Sequence, residues 1–177
     1  MEKIKSPVVY GCVVALAGSI LMLTLLALKL IGPKAIALDA EMTGGTILFL
    51  MLYLFLLFGI YFSIKKRKDV LGQGIRFKEA VVQGIIVSIS TALFSVIFTI
   101  IFYELLYPNY VTETIDALRL KMESVGVPAD KLNAKLEEKK AYFSTSKQSM
   151  FSFTGNLITG IAFTLLLSFF LKSSPKK

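Results

Sequence analysis

The sequence predicts an all-α membrane protein: four transmembrane helices in a bundle, with an extracytoplasmic helical hairpin between spans three and four. Three observations carry that prediction. Of 177 residues, 55% are hydrophobic and only 18% charged, with mean hydropathy +0.69; a soluble domain carries about a quarter charged residues. The apolar residues fall into four blocks, Val8–Ile31, Thr46–Ile64, Ala80–Tyr103 and Phe151–Leu171. Each approaches or exceeds the length of helix, about 20 residues at about 1.5 Å apiece, that crosses a hydrocarbon core about 30 Å thick. Finally, the cations are unequally shared among the connections. A β-barrel would show short alternating strands instead. Residues 1–177 are therefore read as a single integral membrane domain, with about 108–150 as an outer helical loop.

The chain opens on the basic segment Met1–Lys5, and Ala35-Ile36-Ala37 resembles a signal-peptidase site. The apolar run between them exceeds the 7–15 residues of a signal peptide's core, so an uncleaved first span is expected. Lys29 falls in the last turns of that span, where it can snorkel to the interface; mid-membrane it would cost about 2.5–3.5 kcal/mol. The single cysteine, Cys12, reads as a small packing residue. With one cysteine and no histidine, an intrachain disulfide, a Cys/His metal site and histidine-based catalysis are excluded.

The first connection, Gly32–Gly45, carries only Lys34 among its cations, with Asp39 and Glu41. The link after span two is different: Lys65, Lys66, Arg67, Lys68, Arg76 and Lys78 crowd into fourteen residues. Together with Lys3, Lys5, Lys172, Lys176 and Lys177, they place both termini and this link in the cytoplasm by the positive-inside rule. The long third connection holds further cations, but spread thinly among acids. The net charge of +8 thus points to an anionic inner leaflet as neighbour rather than to nucleic acid. The six link cations are the candidate contacts to anionic lipid. Tyr53 falls mid-span and is expected to face another helix. Tyr103, Tyr107, Tyr110 and Tyr142 fit an outer aromatic belt, Tyr10 and Tyr61 an inner one.

Small residues recur at four-residue spacing, which places them on one helix face. Span one has Gly11, Ala15 and Ser19; span three has Ala80, Gly84, Ser88 and Ala92; span four has Asn156, Gly160, Thr164 and Ser168. In lipid, where apolar side chains gain nothing from leaving water, such stripes let backbones approach. They read as bundle packing, or as a surface for another membrane protein.

Between spans three and four, Val111, Ile115, Leu118, Met122 and Val125 form a heptad-like seam. Gly126 suits a helix stop and Pro128 the first turn of the next helix. Ala129, Leu132, Leu136 and Phe143 continue an apolar face. Helices of about 15 residues are marginal alone, so this pair must pack on something.

Motifs for chemistry are weak. Gly72-Gln73-Gly74 lacks the strand, third glycine and downstream acid of a dinucleotide fingerprint. Ser144-Thr145-Ser146-Lys147 has SxxK spacing without its companion motifs. Asp39, Glu41 and Glu104 would gather at the outer face or stand solvated. No catalytic, cofactor-binding or metal-binding residue is assigned, and no cofactor is expected.

Phe58-Gly59-Ile60, Lys68-Asp69, Gly74-Ile75-x-Phe77-x-x-Ala80 and Gly84 together resemble the bacterial membrane family named domain of unknown function 4199. The likeness covers nearly the whole chain, although Ser149–Phe153 aligns poorly. It implies a protein of the bacterial inner membrane and no established activity. The expected role is a non-enzymatic integral membrane protein that assembles with or stabilises another envelope component. The alternative is a small carrier or flippase-like protein for a lipid-linked phosphate. A polar cavity lined by Gln83, Ser88, Asn156 and Thr164 would favour the carrier.

Overall fold

The structure, a computed structural model, describes residues 2–72 and 74–173. The regular structure among the described residues is all helical, with α1 (Glu2–Ala27), α2 (Pro33–Ala37), α3 (Glu41–Leu71), α4 (Phe77–Ile101), α5 (Tyr110–Ser124), α6 (Ala129–Tyr142) and α7 (Thr145–Leu171). A single π turn, Phe102–Leu106, extends α4. Four segments are long and apolar enough to cross a membrane: α1, α3, α4 with its π turn, and α7. The fold is all-α and fits a multi-pass membrane protein.

Helix ends depart from the sequence reading in ways that backbone chemistry explains. The first span stops at Ala27 rather than Ile31. The Leu30 N–H donates to the Leu25 carbonyl and the Lys29 N–H to the Leu26 carbonyl. That is a Schellman termination, and it puts Lys29 at φ +60, outside the helix in which it was expected to snorkel. The first connection then holds an unexpected short helix, α2, which ends the same way, with Asp39 at φ +55. Here Pro33 supplies the fixed φ of a first helical turn. The turn after α5 follows the pattern with glycine, Gly126 at φ +75, as the sequence suggests.

The second span overshoots in the other direction. α3 is 31 residues long and runs through Lys65–Lys68 to Leu71. The basic run is therefore two further turns of helix, and the link proper begins at Gly72 (φ +65) and includes Gly74 (φ +94). The last span also starts early, at Thr145 instead of Phe151. Ser144 caps it: its hydroxyl accepts from the Lys147 N–H at 3.4 Å. The SxxK spacing is thus a helix cap.

The chain divides into two compact units. Unit 1 comprises Met1–Gly18, Met51–Val96 and Ser152–Lys177. Its core is Val14 of α1, Leu56, Ile60 and Ile64 of α3, Ile75 of the link, and Ala80 and Val87 of α4. Phe163, Leu167 and Leu171 of α7 pack against that core, so all four spanning helices contribute to it. Tyr53 meets Phe163 edge-to-face at 6.3 Å, joining α3 to α7 as expected of a mid-span tyrosine.

Unit 2 comprises Ser19–Leu50 and Ile97–Phe151. Its core is aromatic: Phe102, Tyr103 and Tyr110, with Met22, Leu26, Phe98, Tyr107, Val111 and Phe143 around it. The π turn builds this cluster. The Tyr107 N–H reaches back to the Phe102 carbonyl, and the wider turn buries both Phe102 and Tyr103. α5 lies against α2 and α6. Its buried positions are Tyr110 and Thr114, flanked by half-buried Val111, Ile115, Leu118 and Met122, while Val125 is exposed.

Candidate functional site

The small-residue stripes form close contacts in unit 1. A Cβ added at Gly84 would fall on the side chain of Thr164, 2.5 Å from its Cγ2. A Cβ at Gly160 would fall on Ser88, 2.5 Å from its Cβ. Four residues forward on α4 are four back on α7, so the helices run antiparallel in one register. The register holds at the helix ends: the Ser173 N–H donates to the Ile75 carbonyl at 3.0 Å, and the Ile75 N–H to the Ser173 Oγ at 3.2 Å. It also sets buried Ala80 opposite buried Ser168, and Ala92 opposite Asn156. At Gly84 and Gly160 a glycine on one helix meets a hydroxyl side chain on the other.

The stripe on α1 meets α4 as well. A Cβ at Gly11 would lie 2.5 Å from Ser90 Cβ and 2.7 Å from the Val87 carbonyl, and the Thr91 hydroxyl donates to the Gly11 carbonyl at 3.3 Å. Ala15 is buried and Ser19 half-buried. Asn156 is half-buried and donates to the Ser152 carbonyl of its own helix at 2.7 Å. Ser88 likewise satisfies itself locally, on the Gly84 carbonyl at 2.8 Å.

The opposite side of α7 is open. Gly155, Ile158, Ala162, Leu165 and Phe169 are all exposed and recur at spacings of three and four. Nothing lies within 4 Å of a Cβ placed on Gly155. α7 is also the span least covered by the rest of the chain: 17% of its most apolar window is buried, against 28% to 33% for the other spans. The fourfold stripe of α7 stands out in the sequence. This second face does not, because apolar residues surround it and only burial tells its members apart.

The six candidate lipid-contact cations fall in unit 1. Lys65 and Lys66 are exposed, Arg67 and Lys68 half-buried, and Arg76 and Lys78 exposed at the start of α4. Three cations of this end are held by the protein. Lys66 lies 5.8 Å from the Tyr10 ring, Lys68 donates to the Leu171 carbonyl at 3.3 Å, and Lys172 lies 4.4 Å from the Phe169 ring.

In unit 2, Lys121 of α5 brings Asp39 (2.6 Å) and Glu41 (2.5 Å) together. Glu104 stands apart from them and accepts from the Thr145 hydroxyl at 2.7 Å. Hydrogen bonds to Asp39 and Glu41 push the Lys121 ammonium above its ordinary range. The Tyr107 phenol donates to Glu113, which raises it to about 12. Burial pushes the Tyr110 phenol up, partly offset by the Thr114 hydroxyl. Among the described residues, no group of three or more acidic, histidine or cysteine side chains is placed to hold a metal ion.

The sequence model of one family, described as protein of unknown function DUF4199, matches residues 9–173. The chain belongs to that family. The match covers nearly the whole chain and reaches all four spans and both units. No curated protein and no solved structure matches the chain.

Proposed function

We propose that this DUF4199 member is a non-enzymatic protein of the bacterial cytoplasmic membrane, with both termini in the cytoplasm, that assembles with another membrane component of the envelope through the open face of α7. The open glycine on that face carries the reading. A glycine inside a helix costs about 1 kcal/mol relative to alanine. At Gly11, Gly84 and Gly160 close packing repays that cost within the chain. At Gly155 nothing in the chain does. Ala162 repeats the notch two turns on, and the spacing of three and four along this face matches the seam of a left-handed helix pair. The internal stripes, by contrast, are occupied and offer a partner nothing.

The carrier reading asks for a polar cavity among Gln83, Ser88, Asn156 and Thr164. Gly84 against Thr164 and Gly160 against Ser88 leave no room even for a methyl group, so a substrate would have to part α4 from α7. The absence of histidine and the single cysteine favour a role without catalysis.

Purification of the tagged protein from its native membrane after cross-linking, followed by mass spectrometry, tests the reading. A stoichiometric membrane partner lost in a Gly155→Leu, Ala162→Leu variant of unchanged helix content is expected. Equal recovery with the variant, or no partner from either, would overturn it.

A further inference from the structure

We propose that the end of unit 1 built around the α3–α4 link is a docking surface for the phosphate headgroups of anionic membrane lipid. Four separate segments deliver cations to it. α3 brings Lys65, Lys66, Arg67 and Lys68 on its last two turns; the start of α4 brings Arg76 and Lys78. Lys5 of α1 and Lys172 after α7 complete the set. The contacts that gather them are specific: Lys68 on the Leu171 carbonyl, Ile75 paired with Ser173, and Lys66 over Tyr10 tie α3, the link, α7 and α1 to one another.

The charges at this end are not balanced from within. Asp69 and Glu79 are its described carboxylates, and the Glu79 carboxylate accepts from the Arg76 backbone N–H at 3.4 Å, capping α4. Among the described residues, neither forms an ion pair; the ion pairs belong to Lys121 in unit 2. Like charges held this close repel, so an anionic counterpart lowers the energy of the fold as it stands. Exposed apolar side chains decide which counterpart. Phe77 sits between Arg76 and Lys78, Val70 follows the basic turns of α3, and Phe170 lies two residues before Lys172. Cations interleaved with exposed rings match the level where headgroups meet acyl chains, whereas a soluble phosphate would have no use for the rings. Extending α3 through Lys65–Lys68 is what makes the surface: it fixes those side chains on a rigid helix instead of a loose turn. None of these side chains belongs to the open face Gly155, Ile158, Ala162, Leu165 and Phe169 of α7.

The test uses the full-length protein in bilayer discs of equal phosphatidylglycerol and phosphatidylcholine, with retained lipid counted by native mass spectrometry. A preference for phosphatidylglycerol is expected, falling by up to about fivefold for each cation removed. The variant Lys65→Gln, Lys66→Gln, Arg76→Gln, Lys78→Gln should abolish it, while Lys121→Gln leaves it intact. For the native protein, about 1 M salt should erase the preference, because exposed charges are then screened within about 3 Å. The inference is overturned by equal retention of the two lipids, by a preference that survives salt or the fourfold variant, or by displacement of the lipid with inorganic phosphate at constant ionic strength. Recovery of no α7 partner from the native membrane, with the lipid preference intact, would count against the assembly reading alone.

Discussion

The sharpest consequence of the packing is that one substitution has opposite effects at two places on the same helix. Gly155→Ala and Gly160→Ala make the same chemical change five residues apart on α7. Both gain the helix propensity of alanine, about 1 kcal/mol. At Gly155 the new methyl enters open space, so that gain stands alone and the variant is stabilised by about 0.5–1 kcal/mol. At Gly160 the methyl lands 2.5 Å from Ser88 Cβ, with the Ser88 Cα 3.4 Å away, so a rotamer change cannot clear it and α4 must move off α7. Such overpacking costs about 1–3 kcal/mol. The propensity term is common to both, so the difference between the variants isolates the clash at about 1–3 kcal/mol. Reversible unfolding in mixed detergent micelles, followed by circular dichroism, measures it. Adding Ser88→Gly to Gly160→Ala should recover about 1 kcal/mol more than the separate effects sum to, since the two residues share one contact. Equal stability of the two single variants, or no recovery in the double, would refute the α4–α7 register.

Other outcomes follow from local geometry. Replacing Lys29 (φ +60) with glycine should stabilise the protein by about 1 kcal/mol, seen in the same unfolding assay, because glycine meets no steric penalty there. Ser173→Ala removes the acceptor of the Ile75 N–H; that amide should exchange with solvent faster, at a cost of about 1 kcal/mol. Lys121 is raised in the folded state, so its contribution is complete below the ordinary lysine range and lost as pH climbs through the folded value. Protection of the α2 amides relative to their intrinsic exchange rates should therefore fall at high pH, and Lys121→Gln should remove that fall. Tyr107 should ionise near 12, after an ordinary tyrosine, and Glu113→Gln should bring its ultraviolet titration back toward 10. Stability falls as pH rises between those values, because the folded state holds the phenolic proton longer.

The spans were legible because lipid demands long apolar runs, and the stripes because a four-residue repeat of small side chains survives in the bare sequence. Gly126 was legible as a stop because glycine advertises the left-handed conformation. The same termination at Lys29 and Asp39 was hidden, since neither residue marks the left-handed conformation as glycine does. The reach of α3 into Lys65–Leu71 was missed because hydropathy marks where the membrane ends, and helix propensity, high for Lys, Arg and Leu, continues past it. α2 was too short to show a period. Which glycines of the spans are filled and which are open, Gly45 and Gly155 among them, depends on neighbours from other spans. Spacing alone placed Gly160 among the candidates and passed over Gly155 on the same helix.

The assembly role is tested most directly by a scan of single cysteines along α7, from 154 to 169, in native membranes of a Cys12→Ser background. Intermolecular cross-linking should peak at Gly155→Cys, Ile158→Cys, Ala162→Cys, Leu165→Cys and Phe169→Cys, and be absent at Thr164→Cys and Ser168→Cys. A flat profile, or peaks at 164 and 168, would mean that the open face meets only lipid or that the α4–α7 seam is not closed, and the account would fail.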